Sequence, residues 1–327
     1  MTAIDRETLS ALCRAEGLYH LATLAPVPEQ LSPERHDLLA ADGVGDMRWL
    51  LAQRALRLRP TALLPSARAL LCVALHYAPA QPAAGLRRAA YAAGADYHRL
   101  LRAKLARVGR RLDALGGRTW RHRACVDSAP LDERTLAAQA GLGWIGRNAL
   151  LISPRHGSYR LLGFLLTEAP LPPLPGGLGA DRCGSCTRCE QRCPTRALLG
   201  RRCLSERCIS YLTIEHRGVI PRELAARFAG WWFGCDLCQE VCPWNRFAPP
   251  AEDARLVGRD DEAALLALRE TDFARYFAGR AIRRLGWARF RRNLIVALFS
   301  LGRGAEARAL AADGPELARA QAAELGL

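Results

Sequence analysis

The sequence predicts an α/β (α+β) N-terminal catalytic domain with a mixed sheet. A ferredoxin-like segment with two 4Fe–4S clusters follows, and a short C-terminal helical segment of HEAT-like type ends the chain. Three observations predict this. Helical and strand-like apolar runs alternate through residues 1–172. Cysteines then crowd into 173–250, behind a Pro/Gly-rich linker, "APLPPLPGGLG" at 169–179. Helical periodicity returns over 251–327.

The elements follow in order. Residues 5–17 read as a helix, and "YHLATLAP" and "ALLCVALHYAP" (69–79) as strands closed by proline. "MRWLLAQRAL" between them reads as a helix. From Tyr97 onward, Leu101, Leu105, Val108, Leu112 and Leu115 recur at helical spacing until "GG" at 116–117 stops the run. "RACVD" (123–127) is a short strand and "LDERTLAAQAG" a helix with acids in its first turn. "NALLIS" and "YRLLGFLLTE" read as two strands of a hairpin across "PRHGS". Near the C-terminus, "GWARFRRNLIVALFSLG" and "PELARAQAAELG" read as packed helices.

Composition narrows the function. The 327 residues contain no apolar run of 18 or more, so no membrane span is expected. The N-terminus lacks a signal-type apolar core, so a cytoplasmic location is expected. Net charge is +15, with one lysine, Lys104, against 46 arginines. Genomic composition explains Arg over Lys but not the excess of base over acid, which favours an anionic partner, nucleic acid first.

Twelve cysteines at C-x-x-C spacings in a chain of this kind point to metal or cluster ligands rather than disulfides. "CGSCTRCEQRCPT" carries Cys183, Cys186, Cys189 and Cys193 in the full bacterial iron–sulfur spacing. In such a run three thiolates wrap one cube and the fourth reaches a second. Cys183, Cys186 and Cys189 therefore serve cluster one, and Cys193 serves cluster two. "GCDLCQEVCPWN" is one cysteine short, with Trp232 at the missing position. By the same crossing, Cys235 and Cys238 serve cluster two and Cys242 returns to cluster one. Cluster two then lacks one ligand, and Cys203 and Cys208 are the candidates. Zinc competes for C-x-x-C pairs, but paired C-x-x-x-C-P runs are far more specific for iron–sulfur. Cys13, Cys72 and Cys125 stand alone in apolar runs and read as small buried hydrophobes.

Two further patterns carry less. "GLGWIG" (141–146) matches a dinucleotide fingerprint in letters, but a helix precedes it and a strand follows, so it reads as a tight, close-approach loop. "ADYHRLL" holds Asp96 and His98 in a D-x-H order, with Leu101 where a cobalamin-ligand motif needs glycine, so His98 reads as structural or substrate-facing. Asp127 closes a strand, where a partly buried carboxyl kept protonated near neutral pH can donate a proton. A helix cap is an equal reading of the same residue.

The series "VDSAPLDERTLAAQAGLGWIGRNALLI", "CGSCTRCEQRCPT", "RCISYLTIEHRGVIP" and "GCDLCQEVCPWN" is similar to tRNA epoxyqueuosine reductases, in order from about residue 45 to 300. "RLRPTALLP" and "GADYH" fit as well. The resemblance implies a cobalamin-dependent enzyme with two 4Fe–4S clusters, related to reductive dehalogenases. Such an enzyme reduces epoxyqueuosine to queuosine at the wobble position of tRNAs with GUN anticodons. It implies that Asp127 donates a proton and that Arg57 contacts cobalamin. It also places corrinoid contacts near Leu151, Leu162, Ser210 and Asp236. It makes Cys208 the eighth cluster ligand and leaves Cys203 spare. It puts His216 and Arg217 near tRNA, and it implies an external low-potential electron donor and a monomer. Arg-rich stretches at 99–111 and 283–292 read either as phosphate-following or as solvated helix faces. The chain departs from the family pattern at Trp231, Trp232, Phe164 and "AAYA" (89–92). The alternative is a corrinoid and iron–sulfur reductase of a small molecule, which the positive charge disfavours.

Overall fold

The computed structural model describes residues 4–77, 85–174 and 180–327. Pro79, expected to close the second strand, and residues 175–179 of the linker lie outside the described residues. Helix α1 (Arg6–Ala15) starts at Asp5, whose carboxylate accepts from the Thr8 amide at 2.7 Å. Strand β1 (His20–Leu24) follows, then α2 (Glu34–Asp42), a helix with no clear periodicity in the sequence. The helix expected over 47–56 is two short ones, α3 (Trp49–Ala52) and α4 (Arg54–Leu58), broken at Gln53 where ψ turns to 11°. Strand β2 (Ala69–His76) is buried along its whole length. It is covered on both faces, so its sequence does not alternate. After β3 (Arg87–Arg88), α5 (Tyr97–Gly116) is capped by Asp96 and stopped by Gly117 in the left-handed region at φ 61°. Then come β4 (His122–Cys125), α6 (Glu133–Gln139), β5 (Trp144–Ile145), β6 (Leu151–Ile152) and β7 (Arg160–Thr167).

The α/β character stands, but two expectations about the sheet do not. The main sheet runs β1-β2-β7-β4 and every neighbouring pair is antiparallel, so it is not mixed. Parallel pairing occurs in the separate β3/β10 ribbon. Nor do "NALLIS" and "YRLLGFLLTE" form a hairpin with each other. Strand β6 pairs with β5, and β7 inserts between β2 and β4. Two packing facts explain the change. A Cβ at Gly143 would lie 2.1 Å from the Ile152 carbonyl oxygen, so this glycine lets the β5 and β6 backbones meet. The apolar run of β7 is buried nearly throughout and needs a central position with both faces covered. One face packs on α1 and α5 through Leu9, Cys13, Leu101, Leu105 and Val108. The other packs on α6 through Leu136 and Ala137, with Cys72, Cys125 and Phe164 in the same core. The lone cysteines Cys13, Cys72 and Cys125 are buried, as their apolar settings predict.

The cysteine-rich segment holds α7 (Arg188–Arg192), β8 (Leu198–Leu199), β9 (Arg202–Cys203), α8 (Ile209–Ile214), α9 (Arg222–Ala225), β10 (Trp231–Phe233) and α10 (Leu237–Glu240). Helices α11 (Glu262–Ala267), α12 (Glu270–Tyr276), α13 (Gly286–Ser300), α14 (Gly304–Ala312) and α15 (Glu316–Leu325) complete the described chain. Residues 209–233 share one apolar core with these C-terminal helices. Trp232 is buried in it, its ring 5.6 Å from Phe290 and 6.2 Å from Phe277. Its neighbour Trp231 lies under the Arg87 guanidinium at 4.2 Å. No helix among the described residues is long and apolar enough to cross a membrane.

The arginine stretches divide. Arg107 and Arg111 of α5 both pair with Glu16, whereas Lys104 is buried against the Glu16 carbonyl and Asp253. In the second stretch, Arg292 is neither phosphate-facing nor solvated. It is fully buried and donates to the carbonyls of Leu212, His216 and Gly218 at 2.7–2.8 Å. Arg292→Met is expected to leave three carbonyls without their donor, that of Leu212 buried, and to cost about 3 kcal/mol or more. Urea denaturation of the variant checks this as a lowered midpoint.

Candidate functional site

Strand β4 ends at Cys125, and the chain turns sharply at Asp127, a non-glycine residue at φ 51°. A left-handed Asp is uncommon and held by its surroundings. Here the Asp127 amide donates to the Glu133 carboxyl, and the Ser128 amide donates to the Val126 carbonyl at 2.6 Å. Asp127 does not cap the following helix, a task that falls to Asp132. Its carboxylate instead accepts from His98 Nε2 at 2.9 Å and is 52 % exposed, within reach of a substrate. The second nitrogen of His98, Nδ1, bonds Asp96 at 2.6 Å, and the Tyr97 ring stacks on the imidazole at 4.0 Å. The D-x-H pattern thus places His98 on the first turn of α5 as a bridge between two carboxylates.

This geometry moves the proton. Burial opposes the charge on His98, but the hydrogen bonds and charges of Asp127 and Asp96 outweigh it and raise the imidazole to about 9. Burial also opposes the charge on Asp127. The His98 bond, with the charges of His98, Arg284 and Arg57, nevertheless holds it below the usual carboxylate range. The expectation of a protonated Asp127 is therefore corrected: near neutral pH the proton of the pair sits on His98. Glu133 is the protonated carboxyl, raised to about 8 by burial and by the neighbouring Asp127 charge.

Arg57, in α4, is buried and donates Nη1 to the Leu131 carbonyl at 2.9 Å, while its buried Nε has no protein partner. It feels the charges of Asp132, Glu133 and Asp127, and its guanidinium lies 5.0 Å from the Trp49 ring. Arg284, paired with Glu215, adds positive charge near Asp127. The sequence marks Arg284 only as a member of the 283–292 basic run, not as a neighbour of Asp127. Glu133 had a signal as the first helical acid after Asp127.

Leu151 is buried in the α6-side core and Leu162 packs partly buried against it. Ser210 is partly buried in the first turn of α8. Asp236 is enclosed: one carboxylate oxygen accepts the Ala90 amide at 2.6 Å and the other the Gln239 amide group at 3.1 Å. Burial raises its pKa to about 6. Its side chain is committed within the protein. His216 is likewise held, between Asp46 and the Val219 carbonyl at 3.1 Å each, while Arg217 is exposed.

The cysteines gather as two sets. Cys183, Cys186, Cys189 and Cys242 line one cavity together with Pro243 and Trp244. The indole of Trp144 donates to Cys183 Sγ at 3.5 Å. In the second group Cys238 feels the charges of Cys208, Cys189 and Cys193, and Cys235 feels those of Cys238 and Cys208. The Ala197 amide donates to Cys193 Sγ at 3.3 Å. The segments meet because α7 packs against α10. Trp232, at the position of the absent cysteine, is buried in the C-terminal core, against which Cys208 and Cys235 also pack. Cys203 is adjacent to Cys208 and not remote from the site: the interaction of the two thiols favours the thiolate at Cys208 and disfavours it at Cys203. Buried thiols otherwise resist ionisation, as burial shows at Cys235 and Cys238. Thiols gathered in this way fit cluster iron, which binds thiolates and displaces their protons.

Comparison with known proteins is consistent with these sets. Residues 182–245 match the family model described as "4Fe-4S double cluster binding domain", and residues 57–128 the model "Epoxyqueuosine reductase QueG, DUF1730". An epoxyqueuosine reductase of Vibrio cholerae is 40% identical over 268 residues, covering 78% of this chain and 72% of the relative. One of Pseudomonas aeruginosa is 41% identical over 268 residues, covering 78% and 74%. A crystal structure of epoxyqueuosine reductase with an epoxyqueuosine-modified tRNA-Tyr stem loop superimposes with a TM-score of 0.80 at 27% identity, covering 98% of this chain and 89% of that one.

Proposed function

The chain belongs to the epoxyqueuosine reductase family, and from that premise we propose that it reduces epoxyqueuosine to queuosine at the wobble position of tRNAs with GUN anticodons. The observation that carries the reading is the exposed, left-handed Asp127 bonded to His98 Nε2. We assign Cys183, Cys186, Cys189 and Cys242 to cluster one, and Cys193, Cys208, Cys235 and Cys238 to cluster two.

A corrinoid fits the same region. The buried Arg57 Nε has no partner in the protein, and corrin amide and phosphate oxygens are the acceptors such a donor needs. We propose that Arg57 holds cobalamin, with contacts near Leu151, Leu162 and Ser210, and near Asp236 through its backbone. The clusters and cobalamin, when bound, supply low-potential electrons. Converting the epoxide to the alkene consumes two electrons and two protons and releases water. The Asp127–His98 pair delivers a proton at the Asp127 carboxylate, and His98 is recharged through its place between two acids. Glu133 supports the Asp127 amide and, being neutral, adds no competing negative charge. An anticodon loop is single-stranded, so its modified base can be splayed into a pocket. Arg217, exposed beside Asp46, lies free to meet the tRNA backbone, and the half-buried His216 and the buried Arg292 shape its loop.

We further propose that the protein works in the cytoplasm as a monomer fed by an external low-potential donor. The test is anaerobic reconstitution with iron, sulfide and cobalamin, followed by mass analysis of nucleosides from epoxyqueuosine-containing tRNA. Queuosine is expected, with tRNA binding that weakens as salt rises. Intact clusters and cobalamin without any queuosine would overturn the reading. Salt-insensitive tRNA binding would favour a small-molecule substrate.

A further inference from the structure

Three histidines that the reaction does not use meet at one end of the main sheet. His20 opens β1, His76 ends β2, and His156 lies in the loop before β7. Their ring centroids are 4.5, 4.3 and 5.2 Å apart. One ligating nitrogen from each lies within 4.8 Å of the others. Glu252 closes the group, with one carboxylate oxygen 2.9 Å from His20 Nε2 and the other accepting the His76 amide at 2.8 Å.

An independent observation points to a ligand. His76 is fully buried, and neither of its ring nitrogens has a hydrogen-bond partner. Buried polar atoms are almost always satisfied, so two orphans on one ring need an explanation. Its immediate neighbours are two more imidazoles and a carboxylate. We propose that His20, His76, His156 and Glu252 form a binding site for a divalent metal ion of the zinc class, separate from both cysteine sets.

The donor set selects the ion. Three imidazoles with one carboxylate suit zinc and related transition metals, whereas calcium and magnesium prefer all-oxygen shells. Zinc bonds of about 2.0–2.1 Å in a tetrahedron bring ligand atoms to roughly 3.4 Å from one another. His76 is fixed by its strand, while the partly exposed His20 and His156 have room to close that gap. Charge sets a limit. Arg160 stands directly across from His76 in the β2/β7 register, and it opposes a cation. Glu252 offsets one positive charge, which makes it a required member of the site.

The site would act as a brace. Glu252 belongs to the segment after the cysteines, and its amide also donates to the His76 carbonyl at 3.2 Å. Close by, the Ser158 amide donates to Asn245 Oδ1 at 2.6 Å, three residues beyond Cys242. A metal here would fasten β1, β2, the His156 loop and the segment that leads out of cluster one.

The test uses untagged, cluster-loaded full-length protein, so that thiols are already occupied. Zinc is titrated in, excess is removed by gel filtration, and zinc and iron are measured by elemental mass spectrometry. Wild-type protein is expected to retain about one zinc per chain, the stoichiometry of a single tetrahedral site. His20→Ala and His156→Ala, both at partly exposed positions, are expected to keep their iron and bind zinc more than about ten-fold more weakly, since even outer-shell losses cost that much. Zinc is also expected to raise the thermal unfolding temperature of the wild type and not of the variants. Wild-type protein that retains no zinc overturns the proposal, as does zinc retained equally by both variants. Cobalt(II) binding in cobalamin-free protein gives a second readout: thiolate-to-cobalt charge-transfer bands would place the ion on cysteine and overturn it too.

Discussion

Asp127→Asn is expected to lower the single-turnover rate of queuosine formation by about 10²–10⁴-fold, the usual contribution of a positioned acid–base group. Iron content should stay near wild type, because the Asp127 side chain is half-exposed and buries no core surface, while thermal unfolding should fall slightly with the loss of the His98 partner. The pH profile gives a sharper test. If the His98–Asp127 pair is the proton source, the rate holds through neutral pH and falls on the alkaline side near the His98 value of about 9. His98→Gln removes the main group that keeps Asp127 ionised. Burial then pushes the Asp127 carboxyl upward, so the alkaline limb moves to lower pH. An unchanged profile in His98→Gln would falsify the shared-proton assignment. Stability follows the same linkage. The folded-state pKa of His98 lies above its ordinary 6.5, so its stabilising contribution is complete below that pH and is lost as pH rises through about 9. Thermal melts across this window should show the loss in wild type and less of it in His98→Gln.

Cys208→Ala is expected to halve the iron content after anaerobic reconstitution, while Cys203→Ala keeps both clusters. The two thiols are neighbours, so proximity alone does not separate them. What separates them is their setting. Cys208 stands at the start of α8, where the Ser210 and Tyr211 amides point at its sulfur, and Cys203 adds a hydrogen bond. These donors stabilise a thiolate at Cys208 and leave Cys203 as the thiol. Hydrogen bonds to cluster sulfur are one determinant of reduction potential. Removing the Cys203 donor should therefore make the potential of one cluster more negative without loss of iron. Spectroelectrochemistry of Cys203→Ala reads this directly. Loss of a cluster in Cys203→Ala, with retention in Cys208→Ala, would reverse the assignment.

The legible part of this protein is the part encoded over short spans. The cysteine runs place ligands within a few residues of each other, so their spacing alone implies a shared cluster. The cap at Asp96, the stop at Gly117 and the burial of Cys13, Cys72 and Cys125 follow from local conformational and apolar preferences. The order of motifs from 45 to 300 was also enough to indicate the family.

The less legible part depends on segments distant in sequence. Local sequence pairs β7 with its neighbour β6. The tight approach at Gly143 gave β6 a different partner, and the two-sided burial of β7 required a place between β2 and β4. His98 lies 29 residues before Asp127, and the D-x-H letters do not say which carboxylate the second ring nitrogen meets. Arg292 sits in a basic run that reads as surface, yet three carbonyls of the 212–218 loop draw it fully inside. His20, His76, His156 and Glu252 share no local pattern at all. Spacing along the chain determines contact only within a turn or a short loop. Beyond that, the approach of two residues is set by which apolar faces must be covered, and only the packed tertiary structure decides it.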